Sequence, residues 1–233
     1  MPWFYNWHIH LLQRRALRRW LPQDTDHTVL EIGCGIGRWS RRLARSGHEV
    51  VGVDLSPAMI LEARRRARAE GVERRCRFVT GDVAELPLQR RFDRILGVTV
   101  LQHVLDPERF RTCLERLRER LTDAGQIVLL EAAPSRSNVR CDSAVFVART
   151  EQEYLEAFAA AGLHCAAIEA VDPAPFKTWF LPWYSRLPRI VGLAALLVVT
   201  IATVPIDLLT VRWGHRSSWH KVFVLTRSGD QRP

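Results

Sequence analysis

Lysine is nearly absent from this chain. Of its 34 basic residues among 233, only Lys177 and Lys221 are lysines, and the formal net charge is +9. A basic balance of this size is common in proteins that bind nucleic acid or a membrane. The arginines, however, are scattered over many expected helices, which favours a genomic compositional bias. No RNA-binding module flanks the central part of the chain, and we expect no nucleic-acid partner.

Paired cysteines and targeting segments are also missing. The five cysteines are Cys34, Cys76, Cys113, Cys141 and Cys165. None forms a CxxC pair or stands at zinc-ligand spacing with histidine, so we expect reduced thiols and no metal site. The first residues, MPWFYNWHIHLL, lack the basic region, apolar core and cleavage site of a secretory signal. These absences predict a cytoplasmic chain.

Short apolar runs alternate with arginine-rich helical runs between residues 28 and 131. The predicted strands are short and β-branched, at residues 29–32, 50–53, 78–79, 95–98 and 127–130. The predicted helices, at 38–46, 57–69 and 107–121, place apolar residues at helical spacing. After a loop at 132–149 we expect a helix at 151–161 and two more strands, at 163–171 and 222–225. Such alternation predicts an α/β fold with parallel strands covered on both faces.

A glycine-rich turn, EIGCGIG at residues 31–37, joins the first predicted strand to a helix. Glycine provides the dihedral angles of such a turn and lets a ligand approach the backbone. Dinucleotide-binding proteins use GxGxxG to seat a pyrophosphate on the helix N-terminus. Here the third glycine, Gly37, comes one residue earlier than in that motif, and Glu31 would repel a pyrophosphate. A carboxylate at this place suits a ligand with an ammonium and a sulfonium, and S-adenosylmethionine carries both.

Two more acids follow the next predicted strands. Asp54 ends the second strand, where a carboxylate can accept hydrogen bonds from two ribose hydroxyls. Asp82 follows the third strand, where it can accept from an adenine amino group while Val83 and Leu55 press on the ring. Each acid alone would be explained as a helix cap or a turn residue. With Glu31, three acids at the ends of three successive parallel strands favour a ligand site.

These segments together resemble the class I S-adenosylmethionine-dependent methyltransferases, particularly the small-molecule branch. The matching segments are LEIGCGIG, VVGVDLSPAMI, FVTGDVAELP, FDRILGVTVLQHV and LRERLTDAGQIVLLE. The resemblance covers residues 25–171 and resumes near 220–227. It implies a Rossmann-like, doubly wound, seven-stranded sheet whose last strand is antiparallel. Residues 122–125 depart from the Pro-Gly-Gly turn of many relatives, at a place away from the site.

The resemblance also implies roles for individual residues. Glu31, Gly33 and Gly35 would line the methionine part of the cofactor, and Asp54 would hold the ribose. The adenosine and its adenine ring would lie against Leu55, Met59, Asp82 and Val83. The remaining residues of the expected cofactor-binding set are Cys34, Gly37, Val98 and Thr99.

His103, after the fourth strand, is the candidate catalytic residue. Methyl transfer from a sulfonium mainly needs alignment, but a base helps when the acceptor is a hydroxyl or a protonated amine. A hydrogen-bonded structural role is the favoured alternative for His103, and Tyr5, His8 and His10 are further lid or base candidates. Residues 97–100 are GVTV instead of the Asn/Asp-Pro-Pro-aromatic loop that grips planar amides, so a flipped base is not expected as the acceptor.

Two apolar segments lie outside the resemblance. Residues 190–206 carry no charge. Because the strands on either side must share one sheet, this run cannot cross a bilayer once, and it is too short to cross twice. The N-terminal stretch combines bulky apolar residues with four arginines and has no acid before Asp24. Both segments are explained either by packing, as a lid, cap or dimer contact, or by contact with a membrane surface.

The predicted organisation has three parts. Residues 1–24 form an amphipathic helix or lid, residues 25–171 and 220–228 form the core, and residues 172–219 form a hydrophobic helical insertion before the last strand. The favoured function is methyl transfer from S-adenosylmethionine to a small, lipophilic acceptor at O, N or C, peripheral to the membrane's inner face if lipid is contacted. The alternatives are a repurposed cofactor-binding protein on the same fold and, more remotely, a nicotinamide-dependent oxidoreductase, which the glycine spacing and Asp82 disfavour.

Overall fold

A computed structural model of the chain describes residues 2–21, 26–135, 143–172, 180, 186–210 and 218–229. Its helices are α1 (Trp3–Arg18), α2 (Arg38–Arg45), α3 (Pro57–Ala69), α4 (Pro107–Glu119), α5 (Glu151–Ala160) and α6 (Arg189–Thr210). Its strands are β1 (Thr28–Ile32), β2 (Glu49–Asp54), β3 (Cys76–Thr80), β4 (Phe92–Val98), β5 (Leu121–Ala132), β6 (Leu163–Ala170) and β7 (His220–Arg227). A short 3-10 helix, Leu101–His103, follows β4.

The strands form one sheet in the order β3-β2-β1-β4-β5-β7-β6. Strands β1 to β5 pair in parallel, and β7 is antiparallel to both of its neighbours, β5 and β6. The predicted Rossmann-like sheet with an antiparallel last strand is therefore confirmed. The strand order reverses at β1, between β2 and β4, and folds of this kind bind ligands outside the carboxyl ends of the strands at such a point.

Two of the helices begin where the sequence supplies a cap followed by proline. Ser56 precedes Pro57 in α3, and Asp106 precedes Pro107 in α4. Each capping side chain accepts the backbone N–H three residues further on, at 3.4 Å and 2.7 Å. The cap satisfies a donor at the helix start, and proline at the first position has no N–H to satisfy.

Apolar layers cover both faces of the sheet. Helices α4 and α5 bury one layer, which includes Phe110, Leu114, Tyr154, Phe158 and Phe223. Helices α1, α2 and α3 bury the other, which includes Leu12, Leu17, Trp39, Leu43 and Ile60. At about 1.5–3 kcal/mol for each large apolar side chain fully buried, these layers hold the strand ends in place.

Strand β5 starts earlier than predicted, at Leu121 instead of residue 127. Leu121 pairs with Phe92, and the next paired residue of β5, Gln126, lies beside Arg94. Residues 122–125 therefore bulge out of the ladder. The Asp and Gly of this bulge are turn residues, which explains why the sequence pattern placed the strand start after them.

Helix α6 lies between β6 and β7 in the chain and contacts α1. Much of the predicted insertion, residues 173–179, 181–185 and 211–217, falls outside the described residues, so its extent and the domain boundaries stay predictions. Within the described ranges, no helix is both long and apolar enough to cross a membrane.

Candidate cofactor site

A cavity of about 330 Å³ opens at the carboxyl ends of β1, β2, β3 and β4. Its walls are Gly33, Asp54, Leu55, Gly81, Asp82, Val83, Thr99, Val100, His103, Val104, Leu105 and Arg109. Among the predicted residues, the cavity brings together Gly33, Asp54, Leu55, Asp82, Val83, Thr99 and His103. The other predicted residues, Glu31, Cys34, Gly35, Gly37, Met59 and Val98, are not part of this wall.

The turn after β1 combines left-handed glycines with a carboxylate from β2. Gly33, Gly35 and Gly37 all have positive φ, at 56°, 51° and 72°. The backbone N–H of Gly35 donates to Oδ2 of Asp54 at 2.8 Å. A Cβ on Gly35 would meet no atom within 4 Å, so the backbone here is open to a ligand. Gly37 is required for packing, because a Cβ there would come within 2.8 Å of the Phe78 ring.

Asp54 is held by the backbone on both oxygens. Besides the bond from Gly35, Oδ1 accepts the N–H of Ser56 at 2.9 Å. Each carboxylate oxygen can accept a second hydrogen bond, and the side chain lies in the cavity wall. A fixed carboxylate with two remaining acceptor positions fits the paired hydroxyls of a ribose.

Asp82 lies beside a cation that the sequence analysis missed. Oδ1 of Asp82 accepts the N–H of Ala84 at 2.8 Å, and Oδ2 is ion-paired with Arg109 of α4. Arg109 is 27 residues away in sequence, and a helical arginine among many gave no signal. Asp82 is more buried than Arg109, whose side chain is 49% exposed. The carboxylate is therefore the deeper of the two groups in this part of the site, and the guanidinium lies at its rim.

The Glu31 carboxylate does not face the cavity. It is buried, and Oε2 accepts both the backbone N–H of Ser40, at 2.7 Å, and the Ser40 hydroxyl. Ser40 lies in the first turn of α2, which has no acid of its own, so Glu31 caps this helix from β1. Burial raises the pKa of Glu31 to about 7, although the two bonds from Ser40 act in the opposite direction. Its direct contact with a cofactor stays a prediction.

The segment after β4 is strained and held in place by a buried acid. Thr99 has a φ of 55°, which is uncommon for a residue with a branched Cβ. Its N–H donates to the carbonyl of Leu130 at 2.7 Å. Glu131, fully buried at the end of β5, accepts the N–H groups of residues 100–102 at 2.9–3.2 Å. Burial raises the pKa of Glu131, and these three bonds oppose the shift.

His103 reaches the cavity with both ring nitrogens near polar groups. Its Nδ1 lies 2.7 Å from the carbonyl of Val145, and its Nε2 lies 3.5 Å from Nε2 of Gln102. The ring also packs edge-to-face with Phe146. This arrangement fits the structural alternative better than a free base, and its catalytic role stays a prediction.

The other predicted residues support the wall from behind or lie at its edge. Cys34 is buried, and burial raises the pKa of its thiol. Met59 is 44% exposed at the start of α3. Val98 is partly buried and packs in the layer under α1. Among the N-terminal candidates, His8 is buried and His10 is near Arg38, with Nδ1 at 3.1 Å from the guanidinium.

A carboxylate–histidine pair at the same edge of the sheet was also missed. Asp172, after β6, lies with Oδ2 2.8 Å from Nδ1 of His220, the first residue of β7. The two residues are 48 positions apart, on either side of the predicted insertion. Only an acid after one strand and a histidine before its partner strand could have indicated the pair.

The comparisons with known proteins agree with this fold. A family model described as "Methyltransferase domain" matches residues 29–125. Norajmaline N-methyltransferase of Rauvolfia serpentina is 34% identical over 91 residues, 38% of this chain and 31% of that protein. Ubiquinone biosynthesis O-methyltransferase of Ruegeria sp. (strain TM1040) is 37% identical over 89 residues, 38% of this chain and 36% of that protein. The similarity thus spans about a third of each of these relatives.

Two solved structures share the fold over most of the chain. Geranyl diphosphate C-methyltransferase from Streptomyces coelicolor A3(2), in complex with Mg²⁺, geranyl diphosphate and S-adenosyl-L-homocysteine, has a TM-score of 0.68 and 20% identity, covering 94% of this chain and 80% of that one. The [4+2]-cyclase SpnF has a TM-score of 0.66 and 18% identity, covering 94% and 81%. Sheet order, glycine turn and strand-end acids define a Rossmann-like methyltransferase domain. Over residues 29–125 the chain is thus similar to methyltransferase domains, and the two solved structures show the same fold over most of its length.

Proposed function

We propose that this protein transfers a methyl group from S-adenosylmethionine to a small, lipophilic acceptor. The observation that carries the proposal is the cavity wall, in which Asp54 and Asp82 lie together with Gly33 of the glycine turn. Bound there, the cofactor supplies an electrophilic methyl group on a sulfonium. Asp54 holds the ribose, Asp82 accepts from the adenine amino group, and Leu55 and Val83 contact the ring.

The segment after β4, which would position the reaction, is held by hydrogen bonds within the protein itself. Glu131 locks residues 100–102, and the strained Thr99 places its backbone in the cavity wall. Proximity and alignment held in this way can contribute about 7–11 kcal/mol to a displacement. The fold therefore needs no nucleophilic side chain, and within the described residues no cluster of three or more metal-ligating side chains occurs.

The lipophilic character of the acceptor is inferred from α6. The described exposed positions of this helix after Arg189 are all apolar: Ile190, Val191, Ala194, Leu197, Val198, Ile201 and Ala202. Its buried positions include Thr200 and Thr203, whose hydroxyls donate to carbonyls of the same helix. A helix with its apolar side turned outward is the reverse of an ordinary surface helix and indicates an apolar ligand or surface.

The same helix supports a peripheral membrane location at the inner face. α6 contacts α1, which exposes Trp3 (80%) and Trp7 (62%) and contains no acidic residue. The C-terminal halves of α1 and α2 surround a groove lined by Arg14, Arg15, Arg18 and Arg42. Burial lowers the pKa of Arg42, and the charges of Arg14, Arg45 and Arg18 lower it further. Exposed tryptophans and aliphatics beside concentrated positive charge fit an anionic lipid surface.

The activity is tested with methyl-labelled S-adenosylmethionine. Purified protein should transfer label to at least one member of an extractable pool of lipids, quinols, phenols and lipophilic amines. Asp54→Ala should abolish the transfer, since it removes the ribose contact. Label that stays on the cofactor with every pool would overturn the proposed activity and favour a repurposed protein. A cyclase with this same fold makes that alternative a specific one.

Membrane contact is tested by sedimentation with phosphatidylcholine vesicles containing one third phosphatidylglycerol. Wild type should pellet with these vesicles and stay in solution with pure phosphatidylcholine. Val198→Asp should release it, whereas Leu61→Asp, a matched change at a 70% exposed leucine of α3, should not. Equal pelleting of both variants would contradict the docking surface. A wild type that ignores both vesicles but self-associates in gel filtration would assign α6 to a second copy of the chain.

A further inference from the structure

We propose that His220 is the general base for the methyl acceptor and that Asp172 positions it. This inference rests on the proposed function and names a residue for its proton-transfer step. His220 begins β7, and its side chain is 22% exposed. It therefore reaches solvent while its backbone stays in the sheet.

Asp172 orients the imidazole through one ring nitrogen. The carboxylate side chain is 6% exposed, with Oδ2 at 2.8 Å from Nδ1 of His220. Its Oδ1 accepts the backbone N–H of His220 at 2.8 Å and the hydroxyl of Ser218 at 2.9 Å. Because a carboxylate can only accept, Nδ1 carries the proton, and the lone pair of the neutral ring lies on Nε2. Nε2 has no hydrogen-bond partner among the described residues.

The pair lies at the edge of the sheet that carries the cofactor cavity. His220 is paired with Ala132, the last residue of β5, and β5 adjoins β4, whose end forms the cavity wall. Two strand spacings, about 10 Å, separate β4 from β7. An acceptor bound over the ends of β4 and β5 would thus have the cofactor on one side and His220 on the other.

The proton-transfer step balances without any further reactant. The acceptor oxygen forms a bond to the methyl carbon while the carbon–sulfur bond breaks and its electron pair stays on sulfur. The hydroxyl proton passes to Nε2 of His220. The resulting imidazolium is stabilised by Asp172 and returns its proton to water after product release. The arrangement is that of a histidine–carboxylate pair in other base catalysts.

Two further charged groups near the pair, both among the described residues, have partners of their own. Lys221, next to His220, is fully buried and points to the opposite face, where its ammonium is 3.4 Å from Glu151 and donates to the carbonyl of Ser218. Glu169 of β6 accepts from the indole of Trp20 at 2.7 Å. By contrast, His103 is oriented by a backbone carbonyl, which stabilises an imidazolium less than a carboxylate does.

The first test needs no acceptor. In protein labelled with ¹⁵N-histidine, long-range proton–nitrogen correlation reports which ring nitrogen carries the proton, and His220→Gln assigns the signal. At pH 8 His220 should be the Nδ1–H tautomer, and Asp172→Asn should abolish that preference. An Nε2–H tautomer in wild type would overturn the proposal.

The second test separates a base from a structural histidine by acceptor acidity. With labelled cofactor, the probes are catechol and 4-nitrocatechol, whose hydroxyl loses its proton far more readily. His220→Gln should lower kcat by about 10²–10⁴-fold with catechol and much less with 4-nitrocatechol. Imidazole added to His220→Ala should restore part of the catechol rate, and S-adenosylhomocysteine affinity should be unchanged.

The control variant is His164→Gln, at an exposed position of β6, which should leave both rates unchanged. Equal losses with the two catechols, or no response to imidazole, would overturn the role of His220 while leaving methyl transfer intact. If wild type methylates neither probe, the same comparison is made on the acceptor found in the labelled pools. An absence of transfer to every pool would instead count against the proposed function, and the tautomer measurement would still decide the orientation of His220.

Discussion

The side chain of Val100 fills the space that a Cβ on Gly33 would need, at the switch between β1 and β4. A Cβ on Gly33 would lie 2.8 Å from Cγ1 of Val100 and nearer still to Cγ2. Gly33 also has a φ of 56°. Close packing of the two loops and a left-handed backbone therefore both require glycine here, and both loops form the cavity wall.

Gly33→Ala should consequently weaken S-adenosylhomocysteine binding by more than tenfold, because the loop after β4 must move away from the turn. Adding Val100→Ala should restore part of the affinity, since it removes the overlap but not the backbone strain. Calorimetric titration of both variants checks this. A double variant that binds no better than Gly33→Ala would show that strain alone accounts for the loss.

The stability of the protein should depend on the charge of Glu31. A carboxyl group whose pKa is raised on folding, here from 4.5 to about 7, stabilises the fold fully below its unfolded pKa. That stability is lost as pH rises through 7, by about 3 kcal/mol for this shift. Urea unfolding of wild type and Glu31→Gln between pH 4 and 8 should therefore give curves that diverge, with wild type losing stability relative to the variant. Parallel curves would contradict a buried Glu31 carboxyl with a raised pKa.

Replacing Glu131 should destabilise the fold more than replacing a typical buried acid does. Glu131→Ala leaves the N–H groups of residues 100–102 without an acceptor, at about 1–3 kcal/mol for each buried donor. Thermal unfolding should show a large drop in Tm together with weaker S-adenosylhomocysteine binding. Glu131→Gln, which keeps one carbonyl oxygen, should lose less. A small effect of Glu131→Ala would mean that the loop finds other acceptors.

Substitutions of Asp82 and of Arg109 should differ in their effects on S-adenosylhomocysteine binding. Their ion pair is half-exposed on the arginine side, so water screens it and it adds little to stability. Arg109→Ala should therefore change stability little, and Asp82→Asn should weaken S-adenosylhomocysteine binding more than Arg109→Ala does. The reverse order in calorimetry would assign the adenine contact to the guanidinium.

Much of the fold could be predicted from local patterns. Short β-branched runs between helices with capped starts specify parallel strands, and each acid that ends a strand is carried to the same edge of the sheet. For that reason Asp54 and Asp82 were predicted and lie in the cavity wall. Lying near the end of a strand, however, does not decide which face of the sheet a side chain is on, since side chains alternate between the two faces. On β1, Glu31 alternates with Ile32 and shares the face of Val29, under α2. This alternation could have indicated that the Glu31 side chain is turned toward α2.

The missed residues all act across long sequence separations. Arg109 reaches Asp82 from α4, Glu131 reaches the loop after β4 from β5, and His220 meets Asp172 across 48 residues. Each contact depends on which strands are neighbours, and a single sequence leaves that open. The β5 start was missed because the bulge at residues 122–125, which contains turn residues, separates Leu121 from the rest of the strand.

Calorimetric titration with S-adenosylhomocysteine is the decisive test of the cofactor site at the carboxyl ends of β1, β2, β3 and β4. Asp54 bridges the glycine turn and the start of α3 through the N–H groups of Gly35 and Ser56. Wild type should bind S-adenosylhomocysteine and not NADH, and Asp54→Ala should lose binding while remaining folded by circular dichroism. Unchanged binding in Asp54→Ala, or a wild type that binds NADH instead, would contradict an S-adenosylmethionine site at these strand ends.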